Sequence, residues 1–187
     1  MRNILFINAK LKGNEKNSDI LVQDGIIKEI AENLKDKYKN DEAIEVVDIE
    51  GKLTIPPYVE PHIHLDYVYT AHTPGATNST GTLFEGIQRW SDSKANLTKE
   101  DVKSRARIAL RKQILSGIQY IRTHVDVTDP KLTSLQAMME LKEEMKDLVD
   151  MQIIAFPQEG MYAYKGGDEL VEEALKMGAD VVGAIPH

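Results

Sequence analysis

Ile55-Pro56-Pro57-Tyr58-Val59-Glu60-Pro61-His62-Ile63-His64-Leu65-Asp66 is the stretch on which the fold turns. An apolar strand is expected over Leu53 to Val59. The prolines at 56 and 57 lack the N–H that a β-ladder needs, so that strand should end at an irregular edge. His62-Ile63-His64 then closes the strand. Residues i and i+2 of a strand point to the same face, so both imidazoles project the same way. Two histidines on one face at the C-terminal end of a strand make a ready pair of nitrogen ligands for zinc or iron. Taken alone, the same pair is equally compatible with two structural histidines beside a loop.

Upstream of residue 54 the texture is β-rich, with short apolar runs between turn signals. Ile4 to Ile7 and Asp19 to Val22 are strand candidates, and Gln23-Asp24-Gly25 before Ile26-Ile27 reads as a hairpin turn. Ala43 to Asp48 is a further strand candidate, and the charged run Lys35 to Glu42 is expected to be an exposed loop. Residues 1–54 are therefore assigned to a small β domain and 55–187 to a second, α/β domain.

Downstream, strands alternate with helices. After a long connection from Leu65 to Leu97, Thr98 caps a helix with Asp101 at its third position. Val102, Ala106, Ala109, Leu110 and Ile114 share one face of that helix, and Gly117 ends it. Ile118 to Val127 is the next strand. Asp129-Pro130 then reads as a cap followed by a first-turn proline, opening a helix with Leu132, Leu135, Met138 and Met139 on one side. Met151 to Phe156 is a third strand, Asp168 opens a third helix that Gly178 stops, and Val181 to Ile185 is a fourth strand. Such alternation implies a parallel sheet with right-handed crossovers. Periodicity leaves two architectures open, a doubly wound sheet and the first half of an eight-stranded barrel.

Composition narrows the function classes. The 187 residues carry a formal net charge of −7, with 42% hydrophobic and 28% charged residues. No basic stripe exists to displace counterions, so nucleic-acid binding is not expected. Cysteine is absent, which excludes disulfides and thiolate sites and fits a reducing cytoplasm. No run approaches the ~18 apolar residues of a membrane span, so no membrane association is expected and the protein should be cytoplasmic.

The stretch IPPYVEPHIHLD resembles the first barrel strand of the amidohydrolase superfamily, and of its bacterial cytosine deaminases in particular. The resemblance continues through Gly81 to Trp90 (GTLFEGIQRW), Arg122 to Val127 (RTHVDV), Phe156 to Gly160 (FPQEG) and Gly178 to His187 (GADVVGAIPH). It departs at Ser79-Thr80-Gly81, which carries an extra threonine. The fold it implies is the first half of a (β/α)8 barrel, about four parallel strands with helices, preceded by a small, incomplete β-sandwich domain.

The resemblance implies hydrolytic deamination of cytosine to uracil and ammonia, dependent on one divalent metal, Fe2+ or Zn2+. It assigns His62 and His64 as metal ligands, Gln158 as the residue that binds the pyrimidine, and Leu83 as a wall of the pocket. A primary amide suits that role because it presents a donor and an acceptor together, matching the carbonyl and ring nitrogen of cytosine. His124 and Asp126 share a strand face and are expected to support the site or fill the barrel interior. His72 is expected in an exposed loop. His187 ends the fourth strand, where no bridging lysine stands, which fits a mononuclear site.

A third histidine, an H-x-x-E glutamate and a further aspartate would come from strands beyond residue 187. The 187 residues alone are therefore expected to be inactive, and to need a second copy or a second chain to complete the barrel. Sister reactions remain open, on isoguanine, triazine or creatinine-like rings, and so does a non-catalytic truncated or split fragment.

Overall fold

The computed structural model describes residues 3–73 and 75–184. The chain divides into two compact units, Met1–Pro56 and Pro57–His187. In the first, β1 (Asn3–Leu11), β2 (Ser18–Gln23), β3 (Ile26–Ala31), β4 (Ile44–Asp48) and β5 (Leu53–Thr54) form one mixed sheet in the order β3-β2-β1-β4, with β5 pairing the far end of β1. Leu5, Ile7 and Ala9 are buried at alternate positions of β1, the period-two signature of a strand with one face against a core. The β2–β3 turn runs through Asp24 and Gly25, both at positive φ, as a two-residue hairpin loop requires. The expected loop at Lys35 to Glu42 is instead opened by a short helix, α1 (Leu34–Lys37), which Leu34 holds by burying its side chain in this unit's core.

The strand expected over Leu53 to Val59 is two strands in two different sheets. Leu53–Thr54 pairs with β1, whereas β6 (Tyr58–Ile63) opens the second unit. The two prolines between them explain the break, because neither can donate a ladder hydrogen bond.

In the second unit β6, β7 (Ile118–Asp126), β8 (Asp150–Phe156) and β9 (Val181–Val182) form a parallel sheet in sequential order. Sequential order decides between the two architectures. A doubly wound sheet reverses direction at a switch point, whereas a (β/α)8 barrel adds each strand beside the last. The sheet is covered by α3 (Lys99–Leu115), α4 (Thr133–Met145) and α5 (Gly167–Met177). Val102, Ala106 and Leu110 of α3 and Leu135, Met138 and Leu141 of α4 are fully buried against Ile153 and Val125 of the strands. Each such leucine contributes about 1.5–3 kcal/mol of burial. As expected, Thr98 caps α3, its hydroxyl accepting the Asp101 N–H at 3.2 Å.

Two expectations are corrected here. The connection from Leu65 to Leu97 contains a twelve-residue helix, α2 (Leu83–Lys94), capped by Thr82, whose hydroxyl accepts the Glu85 N–H. Helix α4 begins at Thr133 rather than beside Pro130. The cap position is Leu132, at φ 50°, rather than Asp129, whose carboxylate still accepts the Thr133 N–H at 2.9 Å from the preceding turn. The fourth strand is seen at Val181–Val182; Ile185 and His187 lie outside the described residues, as does the side chain of His72, which ends a short 3-10 turn, Thr70–His72.

Candidate active site

β6 delivers His62 and His64 to the C-terminal edge of the parallel sheet, where barrel enzymes build their sites. The two rings lie 5.3 Å apart between centroids. His124, one strand over, stacks on His62 at 4.0 Å and stands 5.5 Å from His64. Phe156, the last residue of β8, meets the His64 and His124 rings edge-on. Burial, reinforced by the two neighbouring imidazoles, pushes His64 down to about 4. Burial also lowers His124. The His64 ring is thus neutral near pH 7, the form a metal needs. The Nδ1 atoms of His64 and His124 are buried without a hydrogen-bond partner.

Neutral nitrogen donors with orphaned ring atoms fit a borderline divalent ion such as iron or zinc. Among the described residues, no group of three or more His, Cys, Asp or Glu has the geometry to enclose such an ion. His62 and His64 would be part of a ligand set.

Just past this pair lies a buried carboxylate chain that sequence reasoning missed. Asp66 is fully buried, and that burial pushes its carboxyl up to about 7. Its Oδ2 accepts the backbone N–H of Asp126 at 2.9 Å. Asp126, expected to support the site or fill the barrel interior, is the hub of the network. Oδ1 accepts the N–H and hydroxyl of Thr128, and Oδ2 accepts the Trp90 indole N–H at 2.7 Å. The Lys94 ammonium stands 3.1 Å from the same Oδ2. Lys94 also donates to Thr128 and to Glu159, the residue after Gln158, and Glu159 accepts the Ser91 hydroxyl at 2.9 Å.

A cavity of about 550 Å3 opens beside this network. Leu83, Gly86, Ile87 and Trp90 of α2 line one wall at i, i+3, i+4 and i+7, a single helix face. Tyr67, Asn78, Arg89 and Gln158 are among the other lining residues. The Tyr67 ring stacks on His64 at 4.6 Å and leans on Trp90 at 4.7 Å, so one aromatic side chain joins the histidine pair to the cavity. Gln158 is half-buried and faces this space, whereas Leu83, 73% exposed, forms its rim. The Arg89 Nε–H is buried and unpartnered, leaving a donor at the cavity wall.

The arrangement matches known proteins. A profile described as "Amidohydrolase family" matches residues 45–187. The structure of 5-methylcytosine deaminase from Klebsiella pneumoniae, liganded with 5-fluorocytosine, is similar with a TM-score of 0.88 and 49% identity, covering 98% of this chain and 43% of that one. N-isopropylammelide isopropylaminohydrolase from Burkholderia multivorans is similar with a TM-score of 0.82 and 29% identity, covering 98% and 45%. N-isopropylammelide isopropyl amidohydrolase from Pseudomonas sp. (strain ADP) is 32% identical over 187 residues, which is 97% of this chain and 45% of that protein. The chain spans less than half the length of each of these relatives. The structural neighbours are (β/α)8 barrel enzymes, and the four sequential strands correspond to part of that barrel. The chain belongs to the amidohydrolase family.

Proposed function

We propose that the protein containing this chain is a metal-dependent hydrolase that deaminates cytosine or a cytosine-type ring, releasing ammonia. The observation that carries this reading is the shared cavity. Gln158 lines the same space as Tyr67, and Tyr67 stacks on His64. A flat ring held by the Gln158 amide would therefore lie beside Tyr67, the side chain that packs on His64. The amide pairs a donor with an acceptor, which suits the carbonyl and adjacent ring nitrogen of a cytosine. Leu83 and Ile87 offer an apolar wall to the ring's remaining edge, and Trp90 and Tyr67 offer flat surfaces. The 49% identity to 5-methylcytosine deaminase from Klebsiella pneumoniae supports the same substrate class.

His62 and His64 would hold a divalent ion, iron or zinc, together with ligands from outside this chain. When bound, that ion lowers the pKa of water and so supplies a nucleophile at neutral pH. The remaining barrel strands would come from the rest of a longer polypeptide or from a second chain, in a homo-oligomer or a split enzyme. No helix among the described residues is long and apolar enough to cross a membrane, which is consistent with a cytoplasmic enzyme acting on a small nucleobase.

A second reading is hydrolytic removal of an alkylamine from a triazine, favoured by 32% identity over nearly the whole chain to N-isopropylammelide isopropyl amidohydrolase. Incubating the full-length, metal-loaded enzyme with cytosine, 5-methylcytosine and N-isopropylammelide separates the two. Ammonia release from the pyrimidines supports the first reading. Isopropylamine release with inert pyrimidines overturns it in favour of the second.

A further inference from the structure

Lys94 is the last residue of α2, and its side chain is only 9% exposed. A lysine seldom gives up that much water without paired charges around it. Here it is enclosed by the Asp126 carboxylate, which is fully buried, by the Glu159 carboxylate, by both oxygens of Thr128, and by the Tyr164 ring face at 5.8 Å. Its partners belong to different elements. Asp126 ends β7, whereas Glu159 follows Gln158 in the turn after β8. Helix α2 also grips Glu159 through the Ser91 hydroxyl and Asp126 through the Trp90 indole. The helix that lines one wall of the cavity is thus tied by its last turns to the residue next to Gln158, which also lines the cavity.

We propose that Lys94 and Glu159 are a positioning pair that fixes the Gln158 amide against the α2 wall, so that recognition of the ring depends on an ion pair that never touches it. The proposal rests on the reading that Gln158 binds a cytosine-type ring. Its chemistry is simple. The peptide turn carrying Gln158 has one side chain lining the cavity and its neighbour anchored to α2. Releasing the anchor leaves the amide present but free to turn, which weakens ring binding more than it weakens any step at the reacting carbon.

The test uses Glu159→Gln, Lys94→Met and Lys94→Arg in the full-length, metal-loaded enzyme. Glu159→Gln keeps the shape and removes the charge, so it is expected to raise KM for cytosine about 5- to 10-fold with kcat within about twofold, the pattern of lost binding without lost chemistry. Lys94→Met leaves two carboxylates facing each other and should do more; Lys94→Arg should restore most of the KM. If Lys94→Met does not fold, Glu159→Gln and Lys94→Arg decide.

Hydrogen–deuterium exchange of residues 157–161 is the second readout and needs no substrate. It should rise in Glu159→Gln while exchange in β8 stays unchanged. Unchanged KM and unchanged local exchange in a folded variant overturn the proposal. So does a parallel loss of kcat, metal and global protection, which would mean the pair only holds the fold together. An unmodified enzyme inert toward cytosine defeats the substrate reading, and the exchange result then judges the pair alone.

Discussion

The indole N–H of Trp90 donates to Oδ2 of Asp126 over 2.7 Å, joining a crossover helix to the end of a neighbouring strand. Both residues are buried, Trp90 at 6% exposure and Asp126 at 1%. Trp90→Phe keeps an aromatic ring against Tyr67 but removes one of the donors to a buried carboxylate. Hydrogen bonds to charged groups contribute about 1.5–3 kcal/mol, so the variant should unfold at lower urea with a loss of that order. Circular dichroism is the measurement, because Trp90 is the chain's one tryptophan. A midpoint unchanged from the parent would show that Lys94 and Thr128 satisfy Asp126 without the indole.

Replacing either member of the histidine pair should separate metal binding from folding. His64→Ala and His62→Ala in the full-length enzyme are expected to lower bound metal and to cut turnover by more than about 100-fold, since even residues behind the ligands cost 10–100-fold. Metal analysis by plasma emission, beside an ammonia assay, reads both. Full metal occupancy in His62→Ala would remove that residue from the ligand set.

Gln158→Leu should leave the metal in place and lose the ring. Unpaired polar groups cost about 1–3 kcal/mol, which is roughly a 5- to 150-fold rise in KM or fall in kcat/KM. Steady-state kinetics on cytosine with parallel metal analysis is the check. Kinetics equal to the parent would make Gln158 a strand-end polar residue with no part in recognition.

The rim of the cavity should respond to acid in a defined window. Glu85 is held down to about 2 by the hydroxyl and N–H of Thr80, the N–H of Ser79 and the Arg89 guanidinium. The Thr80 hydroxyl bond is 2.5 Å. A depressed carboxylate gives stability that is complete above its ordinary value of 4.5 and is lost as pH falls toward about 2. The amide resonance of Thr80, followed by NMR, should therefore titrate with a midpoint near 2. A midpoint near the ordinary value would mean that Glu85 swings free and the 79–82 turn is not tied to α2.

Much of this arrangement is legible in the residues, and the exceptions have physical causes. Alternation in β1, the Thr98 cap and the Leu110 face of α3 are local signals that the packed structure keeps. Helix α2 is easily overlooked because its apolar face, Leu83, Ile87 and Trp90, is short, buries only Trp90, and gives way to Ser91, Asp92, Ser93 and Lys94 in the last turn. Thr82 with Glu85 three residues on, a helix-start pair just before Leu83-Phe84, is its other local mark. Asp129, expected as the cap, lies three residues before the actual cap position, Leu132, and serves the helix only by accepting the Thr133 N–H from the preceding turn. The histidine pair stands out by residue type and spacing, whereas Gln158 is marked only by the resemblance of Phe156 to Gly160 to the family. Asp66, Lys94 and Glu159 did not, because a buried ion cluster assembled from separate elements has no linear pattern.

Helix α2 divides its labour along its length. Leu83 and Ile87, near its start, face the cavity, whereas Trp90, Ser91 and Lys94, near its end, are held by the strand ends. On the proposed ring-binding reading, selectivity at Leu83 and Ile87 and anchorage at Ser91 and Lys94 would be separable in sequence by a single turn of helix, with Trp90 sharing both roles. A library that varies Leu83 and Ile87 while keeping Trp90 and Lys94 fixed should recut the cavity for differently substituted rings without unmooring the wall. Relatives acting on other rings would be expected to differ first in that opening turn, a short and replaceable tooth on a fixed key.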